Sequence, residues 1–118
     1  MRDRLQVTCS APLLLAAALV TACGRDHAAA AVQPPATHTI AIEGVSYAPQ
    51  SLTVHVGDRI VWVNKDPFPH TATSQGAGVD SKEIAGNGGS WTYTAARAGD
   101  FNYICTLHPT MSGVVHVK

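Results

Sequence analysis

Within seven residues near its C-terminus the chain carries a thiol, an imidazole and a thioether, in the run Cys105-Thr106-Leu107-His108-Pro109-Thr110-Met111. No other feature constrains the fold as much. Pro109 removes a backbone donor and fixes φ, so this run cannot be a strand. A tight loop, in contrast, can turn all three side chains toward one point. The loop follows Phe101-Asn102-Tyr103-Ile104 and precedes Gly113 and the apolar Val114-Val115-His116-Val117. Cys105 continues the face of Phe101 and Tyr103, so its side chain is expected to point inward. Taken alone, that description fits a buried structural cysteine equally well.

The rest of the chain from about Thr37 onward reads as short strands punctuated by turns. Ile40 and Ile42 share one face of His38–Glu43, and Leu52, Val54 and Val56 alternate with Thr53 and His55. Arg59–Asn64 is apolar on both faces, as a strand covered on both sides would be, and Pro67-Phe68-Pro69 ends it. Tyr47–Gln50 reads as a turn, and residues 76–89 hold five glycines and read mostly as loop. In Ser90–Thr94 both aromatics fall on one face. No segment keeps a helical period over ten residues and there is no internal repeat. Several strands at short spacing with turn signals between them predict an all-β sandwich or barrel.

A sulfur, an imidazole and a thioether make a soft donor set suited to copper, and two histidines, a cysteine and a weak axial methionine are the blue-copper set. One loop leaves that set a histidine short. His70 lies 35 residues before Cys105, at the end of a different strand, and is the expected fourth member. Pro67 and Pro69 stiffen its approach, so little entropy is lost when it takes up a fixed position. By itself His70 would read as a solvated loop histidine. Zinc also accepts cysteine and histidine, and Met111 argues against it. His38, His55 and His116 fall in strands and read as surface or edge residues. Trp62 and Trp91 read as core.

The chain has 118 residues, which allows one domain. Its start reads differently from the rest. Arg2 and Arg4 precede the apolar run Ala11–Ala22, whose twelve residues are short for a membrane span of about 20. The run suits a secretory leader. Val20-Thr21-Ala22-Cys23-Gly24 resembles a bacterial lipobox, so residues 1–22 are expected to be a lipoprotein signal and Cys23 to carry lipid. Residues 23–36 are rich in Ala and Pro and suit a flexible tether. The folded domain is then residues 37–118. Cys9 would be discarded, leaving Cys105 as the free thiol, and in an oxidising compartment metal ligation gives that thiol a reason. A Cys23–Cys105 disulfide is the structural alternative. Setting aside Arg2, Asp3 and Arg4 leaves six basic and seven acidic residues, with no basic stripe to suit nucleic acid.

Four stretches resemble the cupredoxin family. They are Tyr47-Ala48-Pro49; Leu52–Asp58; Val61–Asp66 with Pro69-His70-Thr71; and Gly99–Cys105 with His108, Pro109, Met111 and Gly113. The short ligand loop and the spacing from Asn64 to His70 are most similar to the amicyanin group of that family. The resemblance implies a Greek-key β-sandwich with one type 1 copper at one end. It implies His70, Cys105 and His108 in a trigonal plane and Met111 as the long axial ligand, with Thr71, Leu107 and Asn64 around them. One departure is Leu107, where amicyanins have proline. Leu107 keeps its N–H, which is expected to donate to the Cys105 sulfur beside that of Thr71. Thr71 itself stands where many relatives have asparagine.

The function implied is outer-sphere transfer of single electrons outside the cytoplasm, by a periplasmic, membrane-anchored monomer. The partners would be a redox donor and acceptor such as a cytochrome c and a dehydrogenase or reductase. Pro67, Phe68, Leu107, Pro109 and Thr110 would form the docking patch around His108. An enzyme of the copper oxidase or nitrite reductase kind needs His-x-His or His-Cys-His clusters, and the sequence has none. A copper carrier or store, without a shuttle role, would use the same four ligands.

Overall fold

Alternating apolar residues build nine strands across residues 33–118, the part of the chain described by the computed structural model. The expected signal segment, Cys23 and most of the tether lie outside the described residues. The strands are β1 (Thr37–Ile42), β2 (Tyr47–Ala48), β3 (Ser51–Val54), β4 (Arg59–Asn64), β5 (Thr73–Ser74), β6 (Val79–Asp80), β7 (Gly89–Thr94), β8 (Gly99–Ile104) and β9 (Ser112–Val117). Among the described residues the only helical element is a single 3-10 turn, Gln75–Ala77. The expected β-sandwich is the fold found.

One sheet runs β2-β1-β4-β7 and the other β3-β9-β8-β5-β6. Between β1 and β4 the chain crosses to the second sheet to lay down β3. That crossing lets β1 and β4 pair in parallel, with Thr37 opposite Arg59 and Ile42 opposite Asn64. β3 and β9 are likewise parallel, and the remaining pairs are antiparallel. Each inner face repeats every second residue. Ile40 and Ile42 of β1, Ile60 and Trp62 of β4, Tyr103 of β8, and Val115 and Val117 of β9 all lie in the shared core. Fully burying one such aliphatic side chain contributes about 1.5–3 kcal/mol.

Three expectations about strands need correction. Tyr47–Gln50, read as a turn, begins with β2, which pairs with the end of β1. β3 stops at Val54, and Val56 is 51% exposed. The chain has already begun to turn there, through Gly57 at φ 94° and the Asp58 N–H bond to the His55 carbonyl. β4 is fully buried on one face only, because Val61 and Val63 are half-buried. In a two-layer sandwich nothing covers the outer face of a sheet.

The core is completed by aromatic edges. The Tyr103 ring meets Tyr47 and Trp62 edge-on, with centroids 4.6 and 5.4 Å away. Gly113 lies opposite Tyr103 in the β8–β9 ladder. A Cβ at Gly113 would fall 2.4 Å from the Tyr103 ring and its Oη, so only glycine lets the ring lie across β9. The same arrangement brings the end of β4 and the end of β8 together at one end of the sandwich.

Candidate metal centre

Beyond β4 the chain must turn back, and buried Asn64 shapes that turn. Its Nδ2 donates to the Phe68 and Ile84 carbonyls at 2.8 and 3.0 Å, and its Oδ1 accepts from the Asp66 N–H at 3.0 Å. His70 is then pinned by paired backbone bonds with Ile84, of 3.2 and 2.7 Å. After β8, the Cys105–Met111 loop closes on itself. His108 N–H donates to the Cys105 carbonyl, Met111 N–H to the His108 carbonyl, and Cys105 N–H to the Met111 carbonyl. Three bonds across seven residues hold the loop without strand pairing.

The two segments meet at the Cys105 sulfur. His70 Nδ1 stands 3.6 Å from it and His108 Nδ1 3.8 Å. One donor atom from each of the three residues lies within 4.8 Å of the others. His70 and Cys105 are fully buried, Met111 is 3% exposed, and His108 is half-buried at the surface. The His70 and His108 ring centroids are 4.9 Å apart, and Phe68 lies against both.

The donors fit a first-row metal. With bonds of about 2.0–2.3 Å, ligand atoms around one ion stand about 3.3–4 Å apart, and the two nitrogen–sulfur spacings, 3.6 and 3.8 Å, fall in that range. A sulfur with two imidazoles, and a buried thioether in the same loop, favours copper over harder ions.

Sequence reasoning missed Asp66. Its Oδ2 lies 2.8 Å from His70 Nε2, and the same carboxylate accepts from the Gly44 and Val45 amides at 2.8 and 3.0 Å. The Val45 amide chiefly, helped by the His70 imidazole and the Gly44 amide, holds the Asp66 carboxyl below the usual carboxylate range against an opposing push from burial. An ionised carboxylate only accepts, so Nε2 carries the His70 proton and the Nδ1 lone pair faces the sulfur. The available signal was an acid four residues before a candidate ligand.

Thr71 joins the loops in two ways. Its N–H donates to the Cys105 sulfur at 3.3 Å. Its Oγ1 accepts from the Thr106 N–H at 2.9 Å and from Thr73 Oγ1 at 3.0 Å, and lies 3.2 Å from Thr106 Oγ1. A threonine thus provides the side-chain link between the loops. Among the described residues Thr71 supplies the only hydrogen bond from an amide to this sulfur. The second one, expected from Leu107, does not form. The 105–108 turn closes through the His108 amide instead, and the Leu107 side chain is 45% exposed. Pro67, Phe68, Leu107, Pro109 and Thr110 are all exposed.

A family model described as a cupredoxin-like domain matches residues 13–117. The chain is 28% identical to amicyanin of Paracoccus versutus over 103 residues, covering 84% of this chain and 78% of that protein. It is 30% identical to amicyanin of Paracoccus denitrificans over 81 residues, covering 65% of this chain and 62% of that protein. Among solved structures, a reduced Cu(I) form of an amicyanin variant superposes with a TM-score of 0.64 at 27% identity, over 70% of this chain and 82% of that one.

Proposed function

Because the chain belongs to the cupredoxin-like family, we propose that it is a type 1 copper protein that carries single electrons between redox partners. The observation that carries this reading is the convergence of His70 Nδ1 and His108 Nδ1 on one buried sulfur, at 3.6 and 3.8 Å. His70, Cys105 and His108 would hold the ion, with Met111 as the weak fourth donor. Copper bound there supplies a one-electron couple between Cu(II) and Cu(I).

The chain's own residues supply rigidity. Four ligands on two cross-linked loops at the end of a sandwich keep one arrangement whichever charge the site holds. Asp66 fixes the His70 ring, and Thr71 offers the sulfur a hydrogen bond, which withdraws charge and favours the reduced state. His108 connects the buried donors to the surface. The exposed side chains of Pro67, Phe68, Leu107, Pro109 and Thr110 give it an apolar surround of the kind that weak redox encounters use.

The reading is non-enzymatic. It places the domain outside the cytoplasm, tethered through Cys23, on the strength of the Ala11–Ala22 run and the small residues before Cys23. Among the described residues no helix is long and apolar enough to cross a membrane. The partners would be a donor and an acceptor protein, such as a dehydrogenase and a cytochrome c, met by a monomer.

The test is a visible spectrum of the copper-loaded, oxidised chain. Intense absorption in the orange-red is expected, and its loss in Cys105→Ser. A Cys105→Ser variant that kept the colour would overturn the reading. Rapid electron self-exchange without copper release separates an electron carrier from a carrier or store of copper.

A further inference from the structure

A series of aromatic contacts runs through the core from the buried sulfur to the edge of a sheet. Tyr47 begins it. Its Oη donates to the Thr71 carbonyl at 2.5 Å, and the Thr71 N–H donates to the Cys105 sulfur at 3.3 Å. The Tyr47 and Tyr103 ring centroids are 4.6 Å apart, those of Tyr103 and Trp62 5.4 Å, and those of Trp62 and Trp91 5.5 Å. Trp91 then stacks on Tyr93 at 6.1 Å. Trp62 and Tyr103 are buried, whereas Trp91 and Tyr93 are half-buried on β7, the edge strand of its sheet. Tyr93 and Phe101 line a surface cleft of ≈ 200 Å³ with Arg97 and Asp100. Asn64 lies opposite Gly89 and Ile60 opposite Tyr93, so the series emerges roughly 13 Å along the sandwich from the Asn64 end. Packing alone explains why rings gather in a core. It does not explain why Trp62 Nε1 and Tyr103 Oη are buried with no hydrogen-bond partner among the described residues. Burial, against a smaller pull from Trp62, pushes the Tyr103 phenol up to about 12. With no protein acceptor beside it, an oxidised Trp62 keeps its proton, and the arrival of one electron restores it.

Resting on the copper reading, we propose that Trp91 is a second electron port, through which oxidising equivalents striking the β7 edge are passed inward and quenched at the reduced centre. A strong one-electron oxidant, of the class of peroxide-derived radicals, takes one electron from Trp91. An electron from Trp62 fills that hole. An electron from the centre at Cys105, carried across Tyr103 and Tyr47, fills the hole on Trp62. The oxidant gains one electron and the reduced centre loses one. No bond forms or breaks within the chain, and each indole ends as it began. The two tyrosines bridge without being oxidised, because Tyr103 has no acceptor for its proton and Tyr47 holds its own against a carbonyl, a weak base. A reduced copper–thiolate centre gives up an electron far more readily than an indole, which sets the inward direction of the hole. The route does not use His108, so this port is separate from the docking face.

Transient absorption on the full chain, copper-loaded and reduced, tests this, with tris(bipyridine)ruthenium(III) generated by a laser flash as the oxidant. Wild type is expected to show an indole radical whose decay matches a rise of the orange-red band. In the metal-free chain the same radical should persist. Trp62→Phe keeps a ring in the core but removes the relay, so the matched rise should be lost and the radical should live as long as in metal-free protein. Trp91→Phe, a change at the half-buried edge, should remove both the radical and the matched rise. Peptide mass spectrometry after exposure to the oxidant should find Trp91 oxidised in the metal-free chain and spared in the reduced one. The proposal is overturned if the radical decays equally fast with and without reduced copper, if the matched rise survives in either variant, or if Trp91 is damaged equally in both forms. A chain that never takes the orange-red colour fails at the copper reading itself, and the proposal falls with it.

Discussion

Asp66 Oδ2 is 2.8 Å from His70 Nε2, and both groups are buried. The carboxylate, itself clamped by two amides of the β1–β2 connection, fixes which nitrogen of His70 faces the sulfur. Removing such an outer partner typically costs 10–100-fold in metal affinity. Asp66→Ala should therefore weaken copper binding by about that factor in a chelator competition. Unchanged affinity would mean that the backbone bonds to Ile84 orient the ring unaided.

Gly86 sets the same turn from the outside. A Cβ there would meet the Pro67 carbonyl carbon at 2.5 Å and the Asp66 oxygen and Phe68 nitrogen at 2.7 Å. These are backbone atoms and cannot swing aside. Gly86→Ala should cost about 1–3 kcal/mol in urea unfolding, and should weaken copper binding because the 66–68 segment carries Asp66. A loss of stability with full copper affinity would show that the turn yields without moving its carboxylate.

Much of this centre was legible because its chemistry is local. Cys105, His108 and Met111 lie in one seven-residue run, and the alternation of Phe101 and Tyr103 gives the direction of Cys105. The partners of Asp66 and Asp58 were not legible. Asp66 reads as a surface acid until the Gly44 and Val45 amides, over twenty residues away, are folded onto it. Asp58 and His38 are 20 residues apart and meet through parallel pairing of β1 with β4, which short-range patterns do not encode. The Leu107 amide was misjudged for a related reason. Sequence spacing put it near the sulfur, but its direction depends on how the 105–108 turn closes.

The Thr71 hydroxyl is the side-chain link between the two ligand loops. Thr71→Val keeps the shape and the N–H to sulfur but leaves the Thr106 amide without its acceptor. An unsatisfied, partly buried amide costs about 1–3 kcal/mol. Chemical unfolding should show that loss, and Thr71→Ser should restore most of it. Because the bond to sulfur survives, the visible spectrum of Thr71→Val should stay close to that of wild type. A large spectral change at unaltered stability would contradict this division of roles.

Asp58 makes stability depend on acid. The His55 amide chiefly, then the Ala36 amide and the His38 imidazole, lower its carboxyl to about 2. The unfolded value is about 3.9. A depressed folded value means the stabilisation is present above about pH 4 and is lost as pH falls through about 2. In chelator, to keep metals out, the stability gap between wild type and Asp58→Asn should shrink as pH falls from about 4 to 2. Urea midpoints at several pH values measure it. A constant gap across that window would remove Asp58 from the acid response.

Leu107 is 45% exposed beside half-buried His108, in the middle of the proposed docking face. If that face carries the exchange, an oxidised and a reduced copy would meet through it in self-exchange. Leu107→Glu would then bring two carboxylates together, and like charges at an interface cost up to several kcal/mol. A penalty of 1.4 kcal/mol is already tenfold, so self-exchange measured by NMR line broadening should slow at least about tenfold. The visible spectrum should not change, because Leu107 contributes no ligand. Added salt should recover part of the rate in the variant, since exposed charges are screened within about 8–10 Å at ordinary ionic strength. An unchanged rate at low salt would place the electron's exit on another face of the sandwich.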